Sequence, residues 1–191
     1  MPDQDSLLQV DWSKLPAPID DGAADHLPGK LLAGVRLTAT DGNRIDPTAL
    51  AGRTVLFAYP KTGQPGRPVP DGWDALPGAR GCTPQSCAYR DLYSELEAAG
   101  AAHVFGVSTQ SPSDQAEASR RLHLPFALLS DHEHALLRAW TLPTLSFESE
   151  VLLRRLTLVI ADGRVAKVFY PVFPPDRNAA DVLAWLRANP Q

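Results

Sequence analysis

Apolar residues fall along this chain in short blocks of two kinds, and the alternation between them is the main structural signal. "TVLFAYP", Thr54 to Pro60, is almost continuously apolar, as expected of a strand covered on both faces. "AHVFGVST" and "FALLSD" read as further buried strands. Segments with helical spacing lie between them. "PQSCAYRDLYSELEAAG" carries Ala88, Leu92 and Leu96 on one face, with Pro84 suited to a first turn and Gly100 to the position after the last. "SPSDQAEASRRLHL" opens with Ser111 as N-cap and Pro112 at the first helical position. "SDHEHALLRAW" sets Ser130 and Glu133 at capping-box spacing. Near the start, "VRLTATDGNRID" predicts a short alternating strand broken by a turn at Asp41-Gly42. Near the end, "RLTLVIADGRVAKVFYPV" is two alternating runs joined by Asp162-Gly163, a hairpin signal, and "NAADVLAWLRA" is a closing amphipathic helix.

Strands that alternate with helices, followed by an antiparallel pair and a last helix, predict an α/β fold with a central mixed β-sheet and helices on both faces. A thioredoxin-like fold fits this order. Residues 1–30, with "LPAPIDDGAADHLPG", predict an irregular N-terminal arm, and residues 31–191 the domain itself. One segment interrupts the pattern at about 61–80. "KTGQPGRPVPDGWDALPGAR" holds four glycines and four prolines, which excludes a helix and argues against a central strand. A loop of this length is either functional or a mobile surface insertion. Burial of Trp73 would pin it to the body.

Composition narrows the setting. A chain of 191 residues is most simply one domain, burying about two-thirds of its unfolded surface. Hydrophobic residues at 44% and charged residues at 21% are ordinary globular values, which exclude wholesale disorder. The net charge of −4, with no Lys/Arg cluster, speaks against nucleic acid or an anionic membrane as partner. The acidic start "MPDQDSLLQVDWSK" lacks the basic flank and apolar run of a signal peptide, and no apolar stretch approaches the roughly 18 residues of a membrane span. These readings predict a cytoplasmic, reducing setting, where a cysteine pair is more often catalytic, redox-active or metal-bound than a permanent staple.

Both cysteines of the chain lie in "GARGCTPQSCAYRD". With Thr83 as N-cap and Pro84 as first helical residue, Cys82 stands just before a helix, facing unpaired N–H groups and the positive end of the dipole, a position that favours a thiolate. Cys87 falls within the first turns. In an intact helix the Cα atoms of residues 82 and 87 are about 8.6 Å apart, and a disulfide needs them within roughly 7 Å. The spacing therefore argues against a static staple and for a switch, in which one thiol reacts while the helix is folded and the other joins once the first turn melts. Other readings are open. A structural disulfide meets the distance and the compartment as obstacles. A zinc site would need two more ligands, and His132 and His134, two residues apart on a helix start, point away from each other. A thioredoxin-type exchange protein would normally separate its cysteines by two residues, not four.

Taken together, "YP" ending a buried strand, "GCT" opening a helix, a second cysteine five residues after the first, and "YRD" resemble the peroxiredoxins. The resemblance is to the peroxiredoxin Q, or bacterioferritin comigratory protein, type, and covers roughly residues 30–190. It implies a thiol peroxidase without metal or organic cofactor. Cys82 would be the peroxidatic cysteine, oxidised to a sulfenic acid by a hydroperoxide. Cys87 would be the resolving cysteine that forms a disulfide with it. Thioredoxin or a similar dithiol would be the reductant, and the enzyme would be a monomer or weak dimer. The family also places an arginine at the start of a late strand to hold the thiolate and polarise the O–O bond. "RLTLVI" matches that pattern and makes the arginine Arg155, with Arg154 pointing to the opposite face. One motif departs. The family shows Pro-x-x-x-Thr-x-x-Cys, whereas this chain has Ala75 and Ala79 at those places. Pro60 and Thr62 of "YPKTG" look like the left part of the motif, displaced by the insertion. Thr62 then either folds back into a substrate pocket shared with Thr83 or plays no part. The insertion, through Trp73, would wall that pocket and favour organic hydroperoxides. Arg90 and Asp91 read as an exposed helical ion pair. A peroxide-responsive sensor or thiol–disulfide exchange protein on the same fold is the alternative, distinguished by turnover.

Overall fold

A computed structural model of the chain describes residues 10–64 and 66–190. The first nine residues, on which part of the leader argument rests, lie outside the described residues. The central sheet has seven strands in the order β2-β1-β5-β4-β3-β8-β9. They are β1 (Leu37–Ala39), β2 (Arg44–Ile45), β3 (Arg53–Ala58), β4 (Ala101–Ser108), β5 (Leu128–Ser130), β8 (Leu156–Ala161) and β9 (Arg164–Phe169). β3, β4 and β5 run parallel, and β1, β8 and β9 join antiparallel. Among the described residues the helices are α1 (Cys82–Asp91), α2 (Tyr93–Ala98), α3 (Pro112–Arg121), α4 (Ala135–Trp140) and α5 (Asn178–Ala188).

The unbroken apolar run of β3 has the expected cause. Val55, Phe57 and Tyr59 face one core with Tyr89, Leu96, Ala118 and Val182 from α1, α2, α3 and α5. Leu56 and Ala58 face the other, with Leu136 and Trp140 of α4 and Ala24 and Leu27 of the N-terminal arm. Alternate residues thus point to opposite cores and all are buried. The Asp162-Gly163 turn has positive φ at both residues, the geometry of a two-residue hairpin.

Two local expectations are corrected, and one element was not expected. The segment from Pro84 to Gly100 is two helices, α1 and α2, separated at Leu92. α4 is not capped by Ser130 and Glu133: Ser130 belongs to β5, and the helix begins at Ala135 after His134 in a left-handed conformation. The buried Asp131 carboxylate accepts the amides of Leu136 and Leu137 at 2.9 and 2.8 Å instead, so a side chain four residues before the helix reaches its free donors. A second hairpin, β6 (Thr144–Phe147) and β7 (Glu150–Leu153), forms a separate two-stranded sheet that the sequence reading did not anticipate. Its turn, Glu148-Ser149, lacks the glycine, asparagine or aspartate that signals a hairpin.

That hairpin receives the insertion. Trp73 sits in a short 3-10 turn, Trp73–Ala75, and packs edge-on against Phe147 with ring centroids 5.0 Å apart. Leu152 and Ala79 complete a small separate core. Lys61 lies over both rings at 5.3 Å and pairs with Glu150. The glycine- and proline-rich segment is therefore fastened by an aromatic pair and a cation.

Candidate active site

The parallel strands β3, β4 and β5 end at one edge of the sheet, where α/β proteins place their ligands. A cavity of about 520 Å³ opens there. Thr62 follows β3, Gln110 follows β4 and His132 follows β5; all three line it, with Cys82 and Thr83 of α1 and Trp73 of the insertion.

Gly81 sets Cys82 into this cavity. Its φ of +104° suits glycine, and a Cβ there would lie 2.7 Å from Pro175 and from Trp12, so any side chain at this position is strained and requires those neighbours to shift. The helix starts at Cys82, not after Thr83 as N-cap. Gly81 accepts the Gln85 amide at 3.0 Å to close the first turn, and no side chain caps it. Pro84 is the third helical residue, where an N–H has no partner within the helix anyway. Cys82 is 3% exposed and heads the helix, whose first-turn amides have no partner within it.

Arg155 arrives from the other direction. β8 runs antiparallel to β3, pairing Leu156 with Ala58, so the start of β8 meets the end of β3. Arg155 is 3% exposed. Its Nη2 donates to Cys82 Sγ at 3.2 Å and to the carbonyls of Gly78, Ala79 and Arg80 at 3.2 to 3.3 Å. Its Nη1 donates to Gln85 Oε1. Arg154 turns to the other face, onto Asp21 and the Tyr170 hydroxyl. The guanidinium is thus held by the loop carrying the cysteine and aimed at sulfur.

Neither cysteine is in a disulfide, and both are buried in α1. Cys87 does not line the cavity. Burial pushes its thiol up, offset in part by the Arg90 cation, so it stays protonated while the helix is intact. Arg90 pairs with Asp91 at 2.8 Å and also caps the Leu122 carbonyl.

The remaining candidates separate. Thr83 is buried at the cavity wall, whereas Pro60, buried just after β3, does not line the cavity, which begins at its neighbour Lys61. Thr62 does fold back to the cavity, but its amide and hydroxyl both donate to Gln110 Oε1, at 2.9 and 3.2 Å. Its hydroxyl is not bonded to Cys82. At the place where the motif would have its threonine, the Ala79 carbonyl accepts from the Cys82 thiol at 3.6 Å. His132 faces the cavity with Nδ1 3.3 Å from Ser130, and among the described residues no group of three or more His, Cys, Asp or Glu side chains is placed to hold a metal.

A buried polar cluster behind the thiol escaped sequence reasoning. Gln85, fully buried, donates to Asn178 Oδ1 at 3.0 Å. The same oxygen accepts from the Tyr89 hydroxyl at 2.8 Å and the Thr157 hydroxyl at 2.7 Å. Only the spacing of Gln85, one turn after Cys82, hinted at it.

A helix-initial cysteine under an arginine at the edge of a thioredoxin-like sheet defines a thiol-based redox protein. The redoxin family profile matches residues 23–183. A chloroplastic peroxiredoxin Q of Gentiana triflora is 30% identical over 92% of this chain and 76% of its own length, and the Escherichia coli peroxiredoxin Bcp is 29% identical over 84% and 96%. A poplar peroxiredoxin Q is 32% identical, and the chain spans 62% of it. The crystal structure of peroxidoxin BcpB from Mycobacterium tuberculosis superposes with a TM-score of 0.69 at 26% identity, covering 86% of this chain and 99% of that one. The chain belongs to the redoxin family, within it to the peroxiredoxins of the Q/Bcp type.

Proposed function

We propose that the protein is a thiol-dependent peroxidase that reduces hydrogen peroxide and organic hydroperoxides, with Cys82 peroxidatic, Cys87 resolving and Arg155 activating. The observation that carries this reading is the 3.2 Å contact between Arg155 Nη2 and Cys82 Sγ beside an open cavity. The Cys82 thiolate attacks the distal oxygen of the hydroperoxide; an S–O bond forms and the O–O bond breaks. The leaving alkoxide or hydroxide takes a proton, giving a Cys82 sulfenic acid and an alcohol or water. Arg155 stabilises the thiolate first and the departing oxygen next, since both carry negative charge within reach of one fixed fork.

Cys87 is the resolving thiol in this reading. Both cysteines lie inside α1, so their Cα atoms stand at about 8.6 Å by helix geometry and the first turns must unwind. The Cys87 thiol then loses its proton, sulfur joins sulfur, and the sulfenic hydroxyl leaves as water. A dithiol such as thioredoxin reduces the disulfide by exchange and is itself oxidised. The cycle needs one chain and a reducing compartment, which fits a monomer or weak dimer in the cytoplasm. Trp73 and the insertion wall the cavity and offer an apolar surface to an organic hydroperoxide.

Intact mass with free-thiol counting, before and after one equivalent of hydrogen peroxide, tests the roles. Wild type should lose both thiols within seconds, Cys87→Ser should gain one oxygen, and Cys82→Ser should stay inert. Wild-type Cys82 that stays reduced for minutes would overturn the peroxidase reading. A single oxidation without turnover in the presence of a dithiol would favour a sensor.

A further inference from the structure

Gln85 stands between the two cysteines on α1, inside the segment that must unwind for them to meet. Its amide is used twice: Oε1 accepts from Arg155 Nη1, and Nε2 donates to Asn178 Oδ1. Asn178 is the first residue of α5 and is buried together with Gln85, Arg155 and Thr157. Tyr89, one turn further along α1, donates to the same Asn178 oxygen. The first turns of α1 are thus tied to α5 and β8 by side-chain hydrogen bonds that reach no solvent.

Resting on the peroxidase reading, we propose that Gln85 is a positioning residue and a latch. It orients Arg155 for the peroxide step and, through Asn178, holds the first turns of α1 folded against resolution by Cys87. Opening the turn must withdraw Gln85, leaving Arg155 Nη1 without its acceptor in a buried site and Asn178 Oδ1 with two donors in place of three, and that cost favours the folded helix. The same withdrawal removes one restraint on Arg155 and leaves the carbonyls of Gly78, Ala79 and Arg80 to hold it. The latch therefore sets how long the sulfenic acid waits, and with it the window in which a second peroxide molecule can oxidise Cys82 to the sulfinic acid.

The opposing effects on two steps make this testable. Rapid mixing with hydrogen peroxide separates a second-order phase, the oxidation of Cys82, from a first-order phase, disulfide formation. Gln85→Leu should slow the first by about tenfold and quicken the second by about tenfold, the scale of one lost buried hydrogen bond on each side. Asn178→Ala, which cuts the outer anchor and leaves Arg155 its bond to Gln85, should quicken the second phase alone. Leu183→Ala, a core truncation on α5, should lower global stability without changing the ratio of the two rate constants. Intact mass after a large peroxide excess should show less sulfinic acid in Gln85→Leu and Asn178→Ala than in wild type. Both phases of Gln85→Leu within about twofold of wild type, or both falling together, would overturn the latch.

Amide hydrogen exchange on the reduced protein decides the latch independently of any peroxidase activity. Residues 83–88 should exchange faster in both variants while α3 and β4 keep wild-type protection. Uniform acceleration, or none, would overturn the latch. A wild-type protein inert to peroxide would remove the peroxidase reading alone and leave the exchange result standing.

Discussion

Replacing Arg155 by methionine keeps an apolar stem in a buried slot and deletes the guanidinium. In the intact site that group makes one contact to the Cys82 sulfur, three to the loop carbonyls of residues 78–80, and one to Gln85. Hydrogen bonds to a charged group contribute about 1.5–3 kcal/mol each, and loss of one preorganised donor to a developing oxyanion slows a reaction by about 10²- to 10³-fold. The expected result for Arg155→Met is a fall of about 10²- to 10³-fold in the second-order constant for peroxide. The assay is stopped-flow oxidation of the Cys87→Ser protein, in which resolution cannot intervene. The loop carbonyls also lose their donor, so a thermal scan must show that the variant still unfolds cooperatively. Arg155→Lys separates charge from shape. An ammonium restores the positive charge but not the planar fork that reaches loop, glutamine and sulfur together, so it should recover part of the rate and not all. A folded Arg155→Met protein within about threefold of the reference rate would refute this account of the site.

Three further outcomes follow from the geometry. Gly81→Ala places a Cβ 2.7 Å from Pro175 and Trp12 at a φ of +104°. It should lower Tm by several degrees, since strain of about 1–2 kcal/mol costs roughly 2–4 °C per kcal/mol in a chain of this size, and an unchanged Tm would show that Trp12 and Pro175 yield freely. Burial raises the Cys87 thiol, so above the ordinary thiol range, roughly pH 8.5, the unfolded chain has shed a proton that the folded one keeps. Stability of the reduced protein should therefore fall as pH rises from about 8 to 9.5. Urea titrations across that range should show a shallower fall for Cys87→Ala, and equal slopes would contradict the burial argument. Trp73→Ala empties the aromatic contact with Phe147 and should cost about 3 kcal/mol. It should also expose residues 61–80 to limited proteolysis; wild-type protease resistance would mean that the clamp lies elsewhere.

Much of the fold was legible because its signals are contiguous. The two-faced apolar run of β3, the Asp162-Gly163 turn, Ser111-Pro112 at the start of α3 and the closing α5 each depend on residues within a few positions of one another. So does the argument that two cysteines five residues apart cannot bond within an intact helix. The β6–β7 hairpin and the Asp131 cap were illegible for the complementary reason. A Glu-Ser turn carries no strong local signal, and a capping carboxylate that reaches forward from a strand end is set by the bend of the chain at His134.

By itself, then, the sequence determined most of the elements, the class of sheet and the candidacy of Cys82 and Cys87, since periodicity and turn chemistry act over short range. That a particular arginine touches the thiol was decided by tertiary structure. Arg155 and Cys82 are 73 positions apart, and they meet because β8 lies antiparallel beside β3 with Leu156 opposite Ala58. The fate of Thr62 was decided in the same way, through Gln110 at the end of a neighbouring strand. So was the Gln85–Asn178 bond, between helices 93 positions apart in sequence. Hydrogen bonds between distant segments depend on strand order and register, which the hydrophobic pattern constrains only through the core it must bury.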